Sequence, residues 1–293
     1  MGNTSIGWTE KSWNPIAAYF EGKRGWMCSK PSAGCKNCYS ERLNLRFGNG
    51  LLYTAENAAK VDWQLVNLDE PGKWRKPAKC FVESMGDLFH EALPDELIGR
   101  VWSKMLEYPQ HTFQVLTKRA SRMRELIGRF TEEAKRKGLR SADHIWLGVS
   151  VENQEQADKR ILQLLSTPAA VRFLSCEPLL GPINLTALSY FDEFVTPDNP
   201  AVLNAFTDRV HHPLTVHVGP TAEANPDGIN WVIVGGESGP NFRPFDLAWA
   251  RSLQQQCEAA GVAFHFKQHG GRTPDAGGCL LDGKEYKAYP KAA

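Results

Sequence analysis

The feature that most constrains this chain is a series of short apolar runs, each closing on polar residues. Cys80-Phe81-Val82 leads into Glu83-Ser84, and His111 to Leu116 leads into Thr117-Lys118-Arg119. Ile145 to Val149 leads into Ser150-Val151-Glu152, and Val171 to Leu174 into Ser175-Cys176-Glu177-Pro178. Trp231 to Val234 leads into Gly235-Gly236-Glu237, and Ala263 to Phe266 into Lys267-Gln268-His269. These runs have the length and composition of strands. The stretches Leu93 to Glu107, Ser121 to Lys137, Gln154 to Leu165 and Phe245 to Ala260 carry apolar residues at helical spacing, and Gly261 is a natural stop for the last. Strand and helix in alternation predict parallel strands covered on both faces.

Six such strands with polar carboxyl ends predict an α/β fold, a complete or partial TIM-like parallel barrel, with a doubly wound open sheet as the second choice. Both architectures place ligands beyond the carboxyl ends of the strands. Residues 1–270 read as one barrel-like catalytic domain. Asn184 to Asp227, with Pro197, Pro200, Pro213, Pro220, Pro226 and the pair His211-His212, breaks the rhythm and reads as an inserted excursion. Residues 271–293 hold Gly277, Gly278 and Gly283 and read as a peripheral tail of hairpin and coil.

Composition narrows the function classes. With 42% hydrophobic and 23% charged residues in 293, the chain has enough apolar material for a sizeable core. Its apolar runs all fall well short of the roughly 20 residues of a membrane helix, so no membrane partner is expected. Met1 to Trp13 lacks a basic segment followed by an apolar one, the pattern of a secretory signal. Seven cysteines, an odd number, do not make a secreted disulfide framework, and a cytoplasmic setting is expected. A net charge of +1 does not announce a nucleic-acid binder. Lys118 to Arg140, however, holds nine basic and three acidic residues, a candidate cationic stripe for nucleic acid.

Three cysteines cluster as C-x6-C-x2-C at Cys28, Cys35 and Cys38, with glycine and proline between the first two. Such a loop can turn three thiolates toward one point, one ligand short of a closed zinc or iron–sulfur site. A zinc knuckle with a distant fourth ligand, an open iron–sulfur cluster, and a buried cysteine beside a chance pair are all compatible with the spacing.

With Trp8-Thr9-Glu10, Trp13-Asn14-Pro15, Cys28 to Arg42, Phe81 to Glu91, Phe113 to Arg119, Trp146 to Gln154, Arg172 to Pro182, Trp231 to Pro240 and Phe266 to Gly270, nearly the whole chain resembles the phage-associated three-cysteine-motif proteins, a family of unknown function. That family looks like a divergent branch of the radical S-adenosylmethionine enzymes. The resemblance implies a [4Fe–4S] cluster on Cys28, Cys35 and Cys38, bound S-adenosylmethionine, an external one-electron reductant, and reductive cleavage to a 5′-deoxyadenosyl radical. It makes a nucleotide or nucleic acid the expected substrate. The superfamily's usual cysteine spacing is shorter by three residues, and Ala17 to Gly25 is longer than typical for the family.

Each strand end then receives an expected role. Glu83, Ser84 or Asp87 would meet the cofactor's amino group, a cation at Lys118 or Arg119 would hold a carboxylate, or a phosphate bidentately through the arginine, and Ser150 and Glu152 would meet ribose hydroxyls. Gly235, Gly236 and Glu237 would lie against adenine, ribose or substrate, because paired glycines admit close backbone approach. Glu177 would line the cavity, Cys176 would return a hydrogen atom or merely fill the core, and His269 would act as an acid or phosphate ligand. The rival expectation is a zinc- or iron–sulfur-containing nucleic-acid-binding or structural protein without radical chemistry.

Overall fold

The computed structural model describes residues 4–138, 141–190, 201–207, 209–211, 228–273 and 276–290. The chain divides into two compact units, Met1–Leu147 and Gly148–Ala293. In the first unit β1 (Lys11–Trp13) is followed by β2 (Ile16–Phe20), β3 (Lys23–Gly25), α1 (Tyr39–Phe47), α2 (Ala55–Ala58) and β4 (Asp62–Leu65). Then come β5 (Lys79–Val82), α3 (Asp95–Leu106), β6 (Thr112–Thr117), α4 (Ala120–Arg136) and the start of β7 (Ile145–Ser150). The second unit holds α5 (Gln154–Leu165), β8 (Arg172–Cys176), β9 (Leu188–Tyr190), β10 (Ala201–Asn204) and β11 (Arg209–His211). It continues through β12 (Trp231–Gly235), α6 (Leu247–Ala260), β13 (Ala263–Gln268), β14 (Leu280–Leu281) and β15 (Lys284–Glu285).

The architecture is α/β, with a seven-stranded parallel sheet in the order β1-β5-β6-β7-β8-β12-β13. β1 and β13 stand at its two edges, so the sheet is the open, partial form of the expected barrel. All six strands expected from the sequence are present, with bounds moved by a residue or two. The seventh, β1, is three residues long, Lys-Ser-Trp, and pairs Lys11 to Cys80 and Trp13 to Val82. A three-residue run shows no periodicity, which is why the sequence hides it.

β7, β8 and β12 are buried at every position, as parallel strands covered on both faces must be. Within the second unit Gly148 is a packing requirement, since a Cβ there would sit 2.6 Å from the Phe173 ring. The helices cover the sheet with narrow apolar stripes. α4 buries Ala120, Met123, Leu126 and Ile127, three or four residues apart, and exposes its charges. α6 stops where expected, at Gly261 in the left-handed conformation with φ 67°.

Smaller sheets fill the connections. β2 pairs antiparallel with β3 and β4, so the long segment Ala17 to Gly25 is a hairpin. Its turn residues Glu21 and Gly22 both have positive φ, the geometry that matches strand twist. The excursion contains the antiparallel sheet β11-β10-β9. Pro197, Pro200, Pro213, Pro220, Pro226 and His212 lie outside the described residues. β14 and β15 form the expected tail hairpin. Among the described residues no helix is long and apolar enough to cross a membrane.

Candidate functional site

In the first unit the polar residues after β5 and β6 assemble around one arginine. Within β6 Phe113, Gln114, Val115 and Thr117 are buried, and beyond the strand end Arg119 is buried while Lys118 is half-buried. Of the two cations expected after this strand, Arg119 is the buried one, and Lys118 contributes its backbone N–H, which donates to Asp87 Oδ2 at 3.1 Å.

Asp87 is the fixed anion of the site. Its carboxylate accepts from the Thr117 hydroxyl at 2.6 Å, the Phe89 N–H at 3.0 Å and Arg119 Nη1 at 3.0 Å. Burial alone would raise its pKa, but Arg119, the Thr117 hydroxyl and the two backbone N–H groups outweigh burial and hold it below its ordinary value. Arg119, 7% exposed, spends its other donors on a loop and on one surface carboxylate. Nη1 also reaches Cys28 Sγ at 3.4 Å, and Nη2 donates to Ser29 O at 3.2 Å and Ser29 Oγ at 2.7 Å. Nε bonds both oxygens of Glu91, at 3.3 and 3.2 Å.

His90 completes this wall. Its Nδ1 accepts from the Ala92 N–H at 3.1 Å, which places the ring proton on Nε2, 2.9 Å from Ser29 Oγ. Burial, with Arg119 beside it, lowers its pKa to about 4, so the ring is neutral at pH 7. Ser29, Lys30, Pro31, Tyr53, Thr54, Ala55, His90, Glu91 and Ala92 border a cavity of about 780 Å³. Ser29 was invisible as a site residue, because inside the cysteine loop it reads as a spacer.

Glu83 and Ser84 stand beside this site in structural bonds. Glu83 has φ 58° and accepts the Ile16 N–H at 3.2 Å through Oε2. Burial pushes its carboxyl up to about 8. Ser84 Oγ pairs with Ser12 Oγ at 2.6 Å and donates to Asn14 Oδ1 at 3.2 Å.

In the second unit the expected residues form three separate pairings. Glu152 meets Arg160 Nη1 at 3.0 Å, and the same nitrogen donates to the Ser150 carbonyl at 2.7 Å. Glu177 meets Lys267 at 3.0 Å, and a Cβ on Gly235 would lie 2.7 Å from its Oε1. Glu237 holds Arg243 through both oxygens, at 2.6 and 2.9 Å. A Cβ on Gly236 would lie 2.0 Å from the His269 carbonyl, so its close approach is to protein backbone. His269 Nε2 bonds the Leu280 carbonyl at 2.7 Å, tying it to the tail hairpin. Cys176 is fully buried in β8, and burial raises its thiol well above the ordinary value.

The expected metal centre is overturned. Among the described residues no group of three or more His, Cys, Asp or Glu side chains is placed to hold a metal ion. The three cysteines are free thiols in another environment. Cys28 and Cys38 pack against the apolar cluster of Ala18, Met27, Tyr53, Ala58 and Val61. Burial pushes the Cys28 thiol up to about 12 and the Cys38 thiol above its ordinary value. Cys28 Sγ is further committed to the Ser29 carbonyl at 3.4 Å and to Arg119. Cys35 ends a single turn of 3-10 helix, Ala33–Cys35. Cysteines can serve as small hydrophobes, and Cys28 and Cys38 do. The resemblance to a metal-motif phage family and to radical S-adenosylmethionine enzymes falls with the site. So do the enzyme class, the [4Fe–4S] cluster, the S-adenosylmethionine cofactor, the one-electron reductant and both zinc and iron–sulfur alternatives.

The fold and this geometry define an α/β parallel-sheet protein with an arginine-centred polar site at the carboxyl ends of two strands. The chain belongs to the family described as protein of unknown function (DUF5131), which matches residues 3–290. No curated protein and no solved structure matches it.

Proposed function

We propose that the chain is a binding protein for a small phosphorylated ligand of the nucleotide class, taken in the cavity beside Arg119. The observation that carries this reading is the buried, Asp87-anchored guanidinium whose partners Ser29 and Glu91 border that cavity. A planar guanidinium recognises phosphate or carboxylate through parallel N–H bonds. Pro31, Ala55 and Ala92 add apolar lining beside the polar residues, which suits a ligand that carries both an anion and a flat base. The volume is that of a small-molecule site.

A free ligand is favoured over a polymer by the state of α4. Arg122 and Arg129 pair with Asp95, Lys135 with Glu132, and Lys137 with Glu133. These four of the nine cations thus meet three carboxylates, which lowers the positive potential that could track a phosphate backbone.

Titration calorimetry of the full chain tests the reading, with nucleoside mono-, di- and triphosphates, the unphosphorylated nucleosides, and a single-stranded oligonucleotide. Binding is expected for the phosphorylated monomers, lost by at least about tenfold in Arg119→Lys, which cannot offer the planar fork. Binding that ignores the phosphate, or survives Arg119→Lys unchanged in a variant with native circular dichroism, overturns it.

A further inference from the structure

Arg119 has two kinds of anionic partner. Asp87 is buried and gripped by four donors, from Thr117, Lys118, Phe89 and Arg119. Glu91 is bound to the same guanidinium only at Nε, its side chain is 64% exposed, and it borders the cavity. Its other charged-type neighbour is His90 Nε2 at 3.8 Å, and that ring is neutral at pH 7. A mostly exposed carboxylate has rotamers in water open to it and gives up little by leaving, because exposed ion pairs are weak. When it leaves, Arg119 keeps Asp87 and Ser29, and only the buried Nε–H loses its acceptor, which the oxygen of an incoming anion can replace.

We propose that Glu91 is a tethered plug: its carboxylate occupies the subsite on Arg119 Nε that an incoming phosphate or carboxylate group takes, and ligand binding displaces it. The inference rests on the reading of the Arg119 cavity as an anion site and adds how that site is guarded. Glu91 shields the guanidinium when no ligand is present and rejects ligands whose anion is too weak to displace it. A neutral ligand would leave the plug in place. Because the plug competes with ligand, removing its charge raises affinity. A carboxylate that served as a ligand contact or only as a structural prop would do the opposite or nothing.

The test compares the full-length wild type, Glu91→Gln and Glu56→Gln, titrated with inorganic phosphate and with adenosine 5′-monophosphate at fixed ionic strength. Glu56 sits on α2 with Lys60 as its partner, so its substitution removes the same charge without touching Arg119. Glu91→Gln is expected to bind both probes roughly two- to fivefold more tightly, the range an exposed ion pair can contribute. Glu56→Gln should match the wild type. Equal or weaker binding by Glu91→Gln, beside a wild type that binds, overturns the plug and leaves the anion site standing. An equal gain in both variants assigns the effect to net charge and likewise overturns it. Absence of binding in wild type and Glu91→Gln alike removes the anion site and the plug together.

Discussion

Two buried ion pairs close strand ends in this chain, one in each unit, and they are alike in all but direction. Asp87 meets Arg119 at 3.0 Å with 7% and 4% of their side chains exposed. Glu152 meets Arg160 at 3.0 Å with 1% and 6% exposed. Arg160 Nη1 also donates to the backbone carbonyl of Ser150, so that pair helps clamp the strand end to α5. Arg119 turns outward instead, to a loop serine and an exposed glutamate that border a cavity. Burial and charge therefore do not separate a binding pair from a clamp, since a buried ion pair is weak evidence even for stability. What separates them is where the second edge of the guanidinium points.

The largest expected effects come from breaking each pair in turn. Asp87→Ala and Glu152→Ala each strand a buried cation and should cost roughly 3–5 kcal/mol in urea unfolding. Only Asp87→Ala should also abolish the binding of phosphorylated ligands, measured under conditions where the variant is folded. Equal loss of binding in both would erase the distinction. The pH dependence follows from sign. The folded Asp87 carboxyl is lowered, so its contribution is present above the unfolded carboxylate's pKa, about 4. That contribution is lost as pH falls through the lower folded value, and Asp87→Ala should flatten this part of the acid-unfolding curve.

Glu83 supplies the opposite slope within the first unit. Burial raises its carboxyl from 4.5 to about 8, the Asp87 charge adds to the rise, and the Ile16 N–H opposes it. Stability from this group is fully present below about pH 4.5 and drains away as pH climbs through 8. Each pKa unit corresponds to about 1.4 kcal/mol, so a loss of a few kcal/mol is expected by pH 9. Glu83→Gln keeps a carbonyl for the Ile16 N–H and removes the charge. Its unfolding midpoint should be flatter than wild type between pH 5 and 9. An unchanged slope would show that Glu83 is ionised in the folded chain.

How much of this could be read from the sequence depends on what each signal reports. Strand and helix periods report burial along an element, and six strands and four helices were legible from them. β1 was not, because Lys11-Ser12-Trp13 is too short to show a period and is specified by its pairing with β5. Cysteine spacing reports only that three sulfurs share a loop. It is blind to Ala18, Met27, Tyr53, Ala58 and Val61, which turn that loop inward against an apolar cluster. The anion of the site, Asp87, stood in view at a strand end. Lys118 and Arg119 stand side by side in the sequence, and only burial in the folded chain singles out Arg119; Ser29 can be placed only once the loop is folded against that guanidinium.

The cysteine environment makes a smaller prediction. Cys28→Ala removes a sulfur from apolar packing and one long hydrogen bond to Arg119, and should cost about 1 kcal/mol while the chain still folds. In the wild type, a thiol pushed up to about 12 stays protonated at pH 8. Alkylation of Cys28 at that pH should therefore be slow until denaturant is added, as read by peptide mass mapping. Collapse of the fold in Cys28→Ala, or fast native alkylation, would place the sulfur in some other role.

The smallest effect is expected on the face of α4 that the sequence marks most loudly. Arg129 lies 2.5 Å from Asp95 and Lys137 2.5 Å from Glu133, with every partner about half exposed. Such pairs trade contacts with water for contacts with each other at little net gain, and salt screens what remains. Neither residue touches Asp87, Ser29 or Glu91, the groups that hold Arg119. The double variant Arg129→Gln, Lys137→Gln should therefore show no resolvable change in unfolding midpoint. Its affinity for adenosine 5′-monophosphate should change by less than about twofold at physiological ionic strength. A steep loss of affinity, growing as salt is lowered, would mean that long-range charge on α4 governs binding. The direction of one buried guanidinium would then cease to be the distinguishing feature of the first unit.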